Sequence, residues 1–314
     1  MIFITFQNLL VSLLAIYMFH MMFKTQALPL FVLSISTLIL LVSQLCNLVM
    51  DYSFAVAGID ARKYYVFNPT TKQFAVIPSL PGGLKVRRSI LHMGLAFHPT
   101  DCVHYKLVCT RLVKPAKDLL QVQIYSSDTG KWKICPVTFH SSWLFFQQQG
   151  VYWNGAFYLV PSYDNHLHFK IEAQQWHTFP LPVEMTSLEW STLYFGESRG
   201  HLHLIVCKNF LDYNTLHLNV YEMLSDHSGW FVKYQLQLPE LWATFPEMTL
   251  YRYVFKVVDV VRGEKEEDTF MVLQIPRKFI RYNVHDKSFK QIYDITTRYS
   301  YVIEHRYTAT LAYF

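Results

Sequence analysis

One short phrase recurs along this chain. An aromatic residue closes an apolar run, a few polar residues turn, and a second aromatic opens the next run. Its first copy is Tyr64-Tyr-Val-Phe-Asn-Pro-Thr-Thr-Lys-Gln-Phe74, followed by Ala75, Val76, Ile77 and Pro78. Asn68 and Pro69 suit the turn, because an Asn side chain bonds nearby backbone and a prolyl ring presets φ. The aromatic and β-branched flanks suit pleated strands. The phrase returns as Tyr125-Ser-Ser-Asp-Thr-Gly-Lys-Trp132, as Phe169-Lys-Ile-Glu-Ala-Gln-Gln-Trp176, as Tyr221-Glu-Met-Leu-Ser-Asp-His-Ser-Gly-Trp230 and as Tyr282-Asn-Val-His-Asp-Lys-Ser-Phe289. Each copy is a hairpin with a large flat side chain at both ends of its turn.

The closing aromatics Phe74, Trp132, Trp176, Trp230 and Phe289 stand roughly 45 to 60 residues apart, the period of kelch-like or WD40-like blades. One four-stranded blade cannot bury both of its faces, so neighbours must stack on it. The repeat therefore predicts an all-β propeller of about six kelch-like blades over residues 51–314. It places Trp132, Trp176 and Trp230 largely buried at equivalent positions. Aromatic residues make up 17% of the chain, as packing of many short strands demands.

Other strands follow from local pattern. His92 to Phe97 and His104 to Leu112 form a pair across the turn His98-Pro-Thr-Asp101. Leu120, Val122 and Ile124 alternate with Gln121 and Gln123. Gly150 to Val160 is a hairpin with Asn154-Gly155 at its centre. Leu202, Leu204 and Val206 alternate with His201, His203 and Ile205, and Phe231 to Leu238 alternates again. Leu241 to Met248 suits a short helical turn. Tyr251 to Val261 and Thr269 to Ile275 are strands joined by the acidic tip Gly263-Glu-Lys-Glu-Glu-Asp268.

Residues 1–50 stand outside this pattern. Lys24 is their only formal charge, and Met1 to Phe23 and Leu28 to Met50 are each long enough to cross a hydrocarbon core as a helix. The start has no basic stretch and no small-residue cleavage site, so it does not read as a signal peptide. Two readings stay open: one or two membrane helices, or aberrant N-terminal sequence. The end, from about Ser43, is compatible with packing as the first propeller strands under either.

The net charge of +5 is mild, and no Lys/Arg cluster marks a nucleic-acid surface. Lys85-Val-Arg-Arg88, the densest basic run, reads as a solvated loop. The five cysteines, Cys46, Cys102, Cys109, Cys135 and Cys207, form no Cys-x-x-Cys pair and read as reduced, buried thiols. No Asn-x-Ser/Thr site occurs, since Pro69 follows Asn68. Both features point to the cytosol or nucleus.

Three constellations could carry chemistry. Gly196-Glu-Ser198-Arg-Gly200 matches the spacing of a nucleophile elbow, which needs a strand before the serine and a helix after it. Here a strand follows, so the segment reads as a hairpin turn. His166/His168 and His201/His203 each place two imidazoles on one strand face, but without a third ligand they read as the polar face of a strand. Glu264, Glu266, Glu267 and Asp268 lack the alternating pattern of a calcium loop and read as a solvated tip. No catalytic, cofactor or metal site is expected, and the chain is not expected to be an enzyme.

Residues 44–314 resemble the associated β-propeller domain of plant F-box proteins. The match rests on Tyr64 to Phe74, on Gly94-Leu-Ala-Phe-His-Pro99 with His104-Tyr-Lys-Leu-Val-Cys109, on Ile124 to Trp132 and on Gly150-Val-Tyr-Trp-Asn-Gly155. Phe195 to Leu204, Ser228 to Tyr234 and Val261 to Asp268 extend it. The resemblance implies a propeller that selects a protein substrate for a ubiquitin ligase, behind an F-box that binds the adaptor Skp1. No stretch here looks like the family's Leu-Pro-x-Asp-Leu opening, so Skp1 binding is not expected of this chain. The functional expectation is protein–protein recognition through the propeller loops. A membrane-anchored scaffold held by residues 1–50 is the alternative, and a hydrolase resting on Ser198 is disfavoured.

Overall fold

The protein is described from a computed structural model, over residues 64–68, 73–83, 86, 89–97, 104–114, 119–140, 150–160, 166–186, 189–208, 217–249 and 255–294. The two readings of residues 1–50, the turn at 98–101 and most of the basic run at 85–88 lie outside these residues. Among the described residues, which do not include 1–50, no helix is long and apolar enough to cross a membrane. The fold is all-β and propeller-like: four four-stranded antiparallel sheets and one two-stranded sheet, each in simple chain order. The described residues fall into two compact units, those up to 140 and those from 150 onward.

In the first unit, β1 (Tyr64–Asn68) pairs with β2 (Gln73–Ile77), bringing Phe67 opposite Phe74. The strands β3 (Ile90–Ala96), β4 (Lys106–Lys114), β5 (Leu119–Ser126) and β6 (Lys131–His140) form the next sheet. One core joins the two sheets. Tyr64, Val66, Ile77 and Leu80 pack with Met93, Leu107, Cys109 and Tyr125, and Trp132 lies against them.

The second unit holds three sheets. The first comprises β7 (Val151–Trp153), β8 (Ala156–Tyr158), β9 (Leu167–Lys170) and β10 (Gln175–Thr178). The second comprises β11 (Trp190–Ser198), β12 (His201–Lys208), β13 (His217–Met223) and β14 (Trp230–Gln237). Helix α1 (Pro239–Thr244) and a 3-10 turn (Pro246–Thr249) lead into the third. That sheet is β15 (Lys256–Val261), β16 (Phe270–Ile275), β17 (Lys278–Asn283) and β18 (Phe289–Asp294). The largest core packs Ile205, Leu218 and Leu236 against Val257, Met271, Leu273 and Ile280, with Leu241 and Met248 of the connecting helices closing it.

The recurring phrase is the last hairpin of each four-stranded sheet. Tyr125 faces Trp132, Phe169 faces Trp176 and Tyr282 faces Phe289. In the longer copy the pairing moves to Met223 opposite Trp230, and a bulge follows it. The tryptophans do occupy equivalent places, but they are half-buried rather than buried. They sit on the outermost strand of each sheet, and the indoles of Trp132 and Trp230 reach back to the sheet before. Trp132 Nε1 donates to the Pro78 carbonyl at 2.7 Å, just past the end of β2, and Trp230 Nε1 donates to the Pro180 carbonyl at 2.8 Å, just past β10. The period seen in the sequence is thus the spacing of a sheet-to-sheet joint.

Burial follows position in the sheet. Second and third strands are covered on both faces, and in β12 every residue from Leu202 to Cys207 is buried, His203 included. The alternation expected for β12 is therefore not one of wet and dry faces. Fourth strands are mostly exposed, as in β6, β14 and β18, and expose Ile134, Val137, Phe231, Val232 and Tyr293. The described cysteines, Cys109, Cys135 and Cys207, are free and buried.

Candidate interaction surface

In an antiparallel meander the first and third turns fall at one end of the sheet. In the second unit these ends are drawn together. The β7–β8 and β11–β12 turns are two-residue turns, Asn154-Gly155 (φ 47° and 76°) and Arg199-Gly200 (φ 50° and 79°). Both residues are left-handed, as the hairpin twist requires, and the glycine takes that conformation without a Cβ clash. The short turns let neighbouring tips touch. Trp153 Nε1 donates to the Gly200 carbonyl at 2.7 Å. Asn154 Nδ2 meets His227 Nε2 at 2.8 Å, and Tyr158 Oη bonds His227 Nδ1. On the other side, Arg262 N–H donates to Ser198 Oγ at 3.0 Å, and Arg199 pairs with Glu264 at 3.7 Å. Hairpin tips of three consecutive sheets are thus joined into one surface.

Under this surface lies a charge network centred on Glu222 of β13, which is buried. Its carboxylate meets His201 Nδ1 at 2.7 Å, Arg262 at 3.0 Å, His203 Nε2 at 3.7 Å and Lys233 at 3.8 Å. Lys233 and Arg262 also reach Glu266 at 3.1 and 3.9 Å, and Tyr234 Oη bonds the same carboxylate. Burial alone would raise the Glu222 pKa. The bond from His203 and the charges of His201 and Arg262 outweigh it and hold the group down to about 2. His201 is pushed below its usual value by burial, against the opposing pull of Glu222. A buried carboxylate this heavily paired fixes the relative placement of β12, β13, β14 and the β15–β16 tip.

A second cluster sits under the β7–β8 tip. His168 is buried, stacked between Tyr158 at 4.9 Å and His177 at 5.6 Å. Burial lowers its pKa to about 4, and the same cause lowers buried His92 of the first unit to about 4. Both stay neutral when folded and would bind a proton near 6.5 when unfolded. Their contribution is complete above pH 6.5 and is lost as pH falls towards 4. The unfolding free energy, read from denaturant midpoints, is expected to fall between pH 7.5 and 4.5, by up to about 3 kcal/mol per histidine. His168→Gln is expected to shrink that fall. Midpoints that do not move with pH would count against two buried neutral imidazoles.

Ser198 ends β11 and is buried, with its Oγ accepting from Arg262 N–H, and strand β12 follows it. The expected hairpin is there. His201 and His203 converge on one carboxylate, whereas His166 and His168 pack against Phe179. Among the described residues no group of three or more His, Cys, Asp or Glu could hold a metal. The acidic tip forms a 3-10 turn, Glu266–Asp268, with Lys265 on Glu267 at 3.7 Å. Sequence reasoning missed Glu222, Lys233, Arg262 and His227. The available signal was Glu222 itself, a lone carboxylate within Val220-Tyr-Glu-Met223.

Residues 9–302 match the family described as F-box protein At3g26010-like, beta-propeller. That span takes in most of the apolar N-terminal segment. F-box protein At5g07610 of Arabidopsis thaliana is 35% identical over 253 residues, covering 74% of this chain and 58% of the relative. The chain therefore spans little more than half the length of that relative. Among solved structures, an oligogalacturonate lyase from Vibrio parahaemolyticus is similar at a TM-score of 0.42 and 7% identity, over 74% of this chain and 60% of that one. YCF48 from Cyanidioschyzon merolae is similar at a TM-score of 0.41 and 14% identity, over 71% and 60%.

Proposed function

The chain belongs to the F-box protein At3g26010-like β-propeller family, and on that premise we propose that it is a protein-recognition module and not an enzyme. Its role is that of a substrate-recognition propeller like those carried by F-box adaptors of SCF ubiquitin ligases. The reading of six kelch-like blades draws on four complete sheets and on β1–β2, whose Phe67–Phe74 pairing repeats the closing hairpins. The observation that carries the function is the joined tip surface of the second unit. Its exposed charges of both signs, Arg199, Glu264, Lys265 and Glu267, stand on turns pinned from below. A surface held in place before binding loses little entropy on contact, which suits recognition.

Charge reversal tests the surface. Arg199→Glu with Lys265→Glu is expected to abolish retention of the partners that the unmodified chain co-purifies. Arg277→Glu, on the β16–β17 turn at the opposite end of its sheet, is expected to keep them. Equal retention by both variants would place recognition elsewhere. The 314 residues by themselves are not expected to capture purified Skp1. The described strands offer no amphipathic helical surface, and the longest helix among them is the six-residue α1. Such a chain would compete with a working ligase for substrate. Stoichiometric capture of Skp1 by this chain would restore the ordinary adaptor reading.

A further inference from the structure

We propose that His227 is a proton-operated latch, holding the β13–β14 tip against the β7–β8 hairpin while its imidazole is neutral and releasing the tip when it takes a proton. The proposal rests on the donors and acceptors that meet the ring. Asn154 presents its amide nitrogen, Nδ2, to Nε2 at 2.8 Å. An amide nitrogen can only donate, so Nε2 must carry a lone pair. The proton of the neutral ring is then on Nδ1, where it is given to Tyr158 Oη. Both nitrogens are committed to one tautomer. A second proton on Nε2 would point at the Asn154 amide hydrogens, and the contact that ties the two tips would become donor against donor.

The surroundings reinforce this. Trp153 covers one side of the imidazole at 4.7 Å, and Tyr158 stacks nearly parallel to it at 6.2 Å. Of the titratable groups that face it, β8 supplies Tyr158 and β9 supplies His168, 6.5 Å away, and Lys170. His177 of β10 lies one ring further, stacked on His168. The tip itself supplies Asp226, whose carboxylate is taken up by Ser228 N–H at 2.9 Å and Ser228 Oγ at 2.6 Å. The balance disfavours a cation: burial and Lys170 lower the His227 pKa, and only Asp226 opposes them. The backbone adds to this, since His227 is held in the left-handed region at φ 63°. A protonated ring therefore has reason to leave, and the tip with it.

The sign follows from linkage. The open tip binds a proton near the ordinary histidine value and the closed tip binds one only below it. The closed state is complete above about pH 6.5 and is lost as pH falls beneath that value.

Hydrogen exchange of the full chain, corrected for the intrinsic pH dependence of exchange, reads the latch directly. Opening of the 224–229 tip is expected to increase between pH 7.5 and 5.5, by at most about tenfold, while the 199–200 turn changes little. His227→Asn keeps a residue that tolerates positive φ and is expected to remove the step. An equal step in His227→Asn, or a tip whose protection is flat with pH, overturns the proposal. Should that variant not fold, the imidazole resonances of His227 in the unmodified chain decide the matter. Titration below 6.5 together with loss of the Asn154 contact supports the latch, and titration at or above 6.5 overturns it.

Discussion

Glu222→Ala is expected to lower the unfolding free energy by about 3–5 kcal/mol, the usual cost of removing one partner from a buried ionic cluster. The reason is what stays behind. Arg262 lies 3.0 Å from the carboxylate and Lys233 3.8 Å, and each keeps Glu266 as a second partner at 3.9 and 3.1 Å. His203 is buried beside them and loses its acid partner outright. Glu222→Gln keeps the volume and can still accept a hydrogen bond, so it is expected to cost less, about 1–3 kcal/mol. Urea unfolding of the three proteins at pH 7 measures this. The pH dependence is a second check. The Glu222 pKa is about 2 when folded, against an ordinary 4.5, so its contribution is present above pH 4.5 and is lost as pH falls towards 2. The unmodified protein is expected to lose this increment over that range and Glu222→Gln is not. A loss below about 1 kcal/mol in Glu222→Ala would show that the cluster is solvated and does not hold the tips.

The repeat was legible because it is a strictly local device. Tyr125 and Trp132, or Phe169 and Trp176, are brought together by one tight turn, and the residues that make that turn are written between them. The Asn154-Gly155 turn was legible for the same reason. The Glu222 cluster was not. Its members come from positions 201, 203, 222, 233, 262 and 266, and no local pattern joins them. They meet because meander strands run side by side and because the next sheet brings Arg262 alongside. Burial of β12 was misread for a related cause. His201 and His203 look like a solvent face when only one sheet is considered, whereas a sheet covered on both sides buries His203. The tryptophans erred in the opposite direction. Large aromatics at a fixed period suggest a core, but these stand on outer strands, and Trp132 and Trp230 close a joint instead of filling a centre.

Replacing those tryptophans tests the joint itself. Trp132→Ala and Trp230→Ala are each expected to cost about 3 kcal/mol, the lower end for a large aromatic, because both side chains are half-buried. The phenylalanine variants separate the two parts of that cost. Trp132→Phe and Trp230→Phe keep most of the apolar contact with Tyr125 and Phe195 respectively, 5.5 and 6.4 Å between ring centres. They remove the N–H that reaches Pro78 or Pro180. Each is expected to cost about 1 kcal/mol, the net worth of one hydrogen bond. Trp153→Phe makes a useful contrast. It loses the bond to Gly200 within the tip surface, and the residue is buried among Tyr158, Phe179 and Met223. Its effect is expected to exceed that of the two outer-strand changes. If the outer-strand alanine variants cost less than about 1 kcal/mol, the recurring aromatic is an ornament of the hairpin. If the phenylalanine variants cost as much as the alanine ones, the joint is made by the indole hydrogen bond alone, and the apolar contact adds nothing.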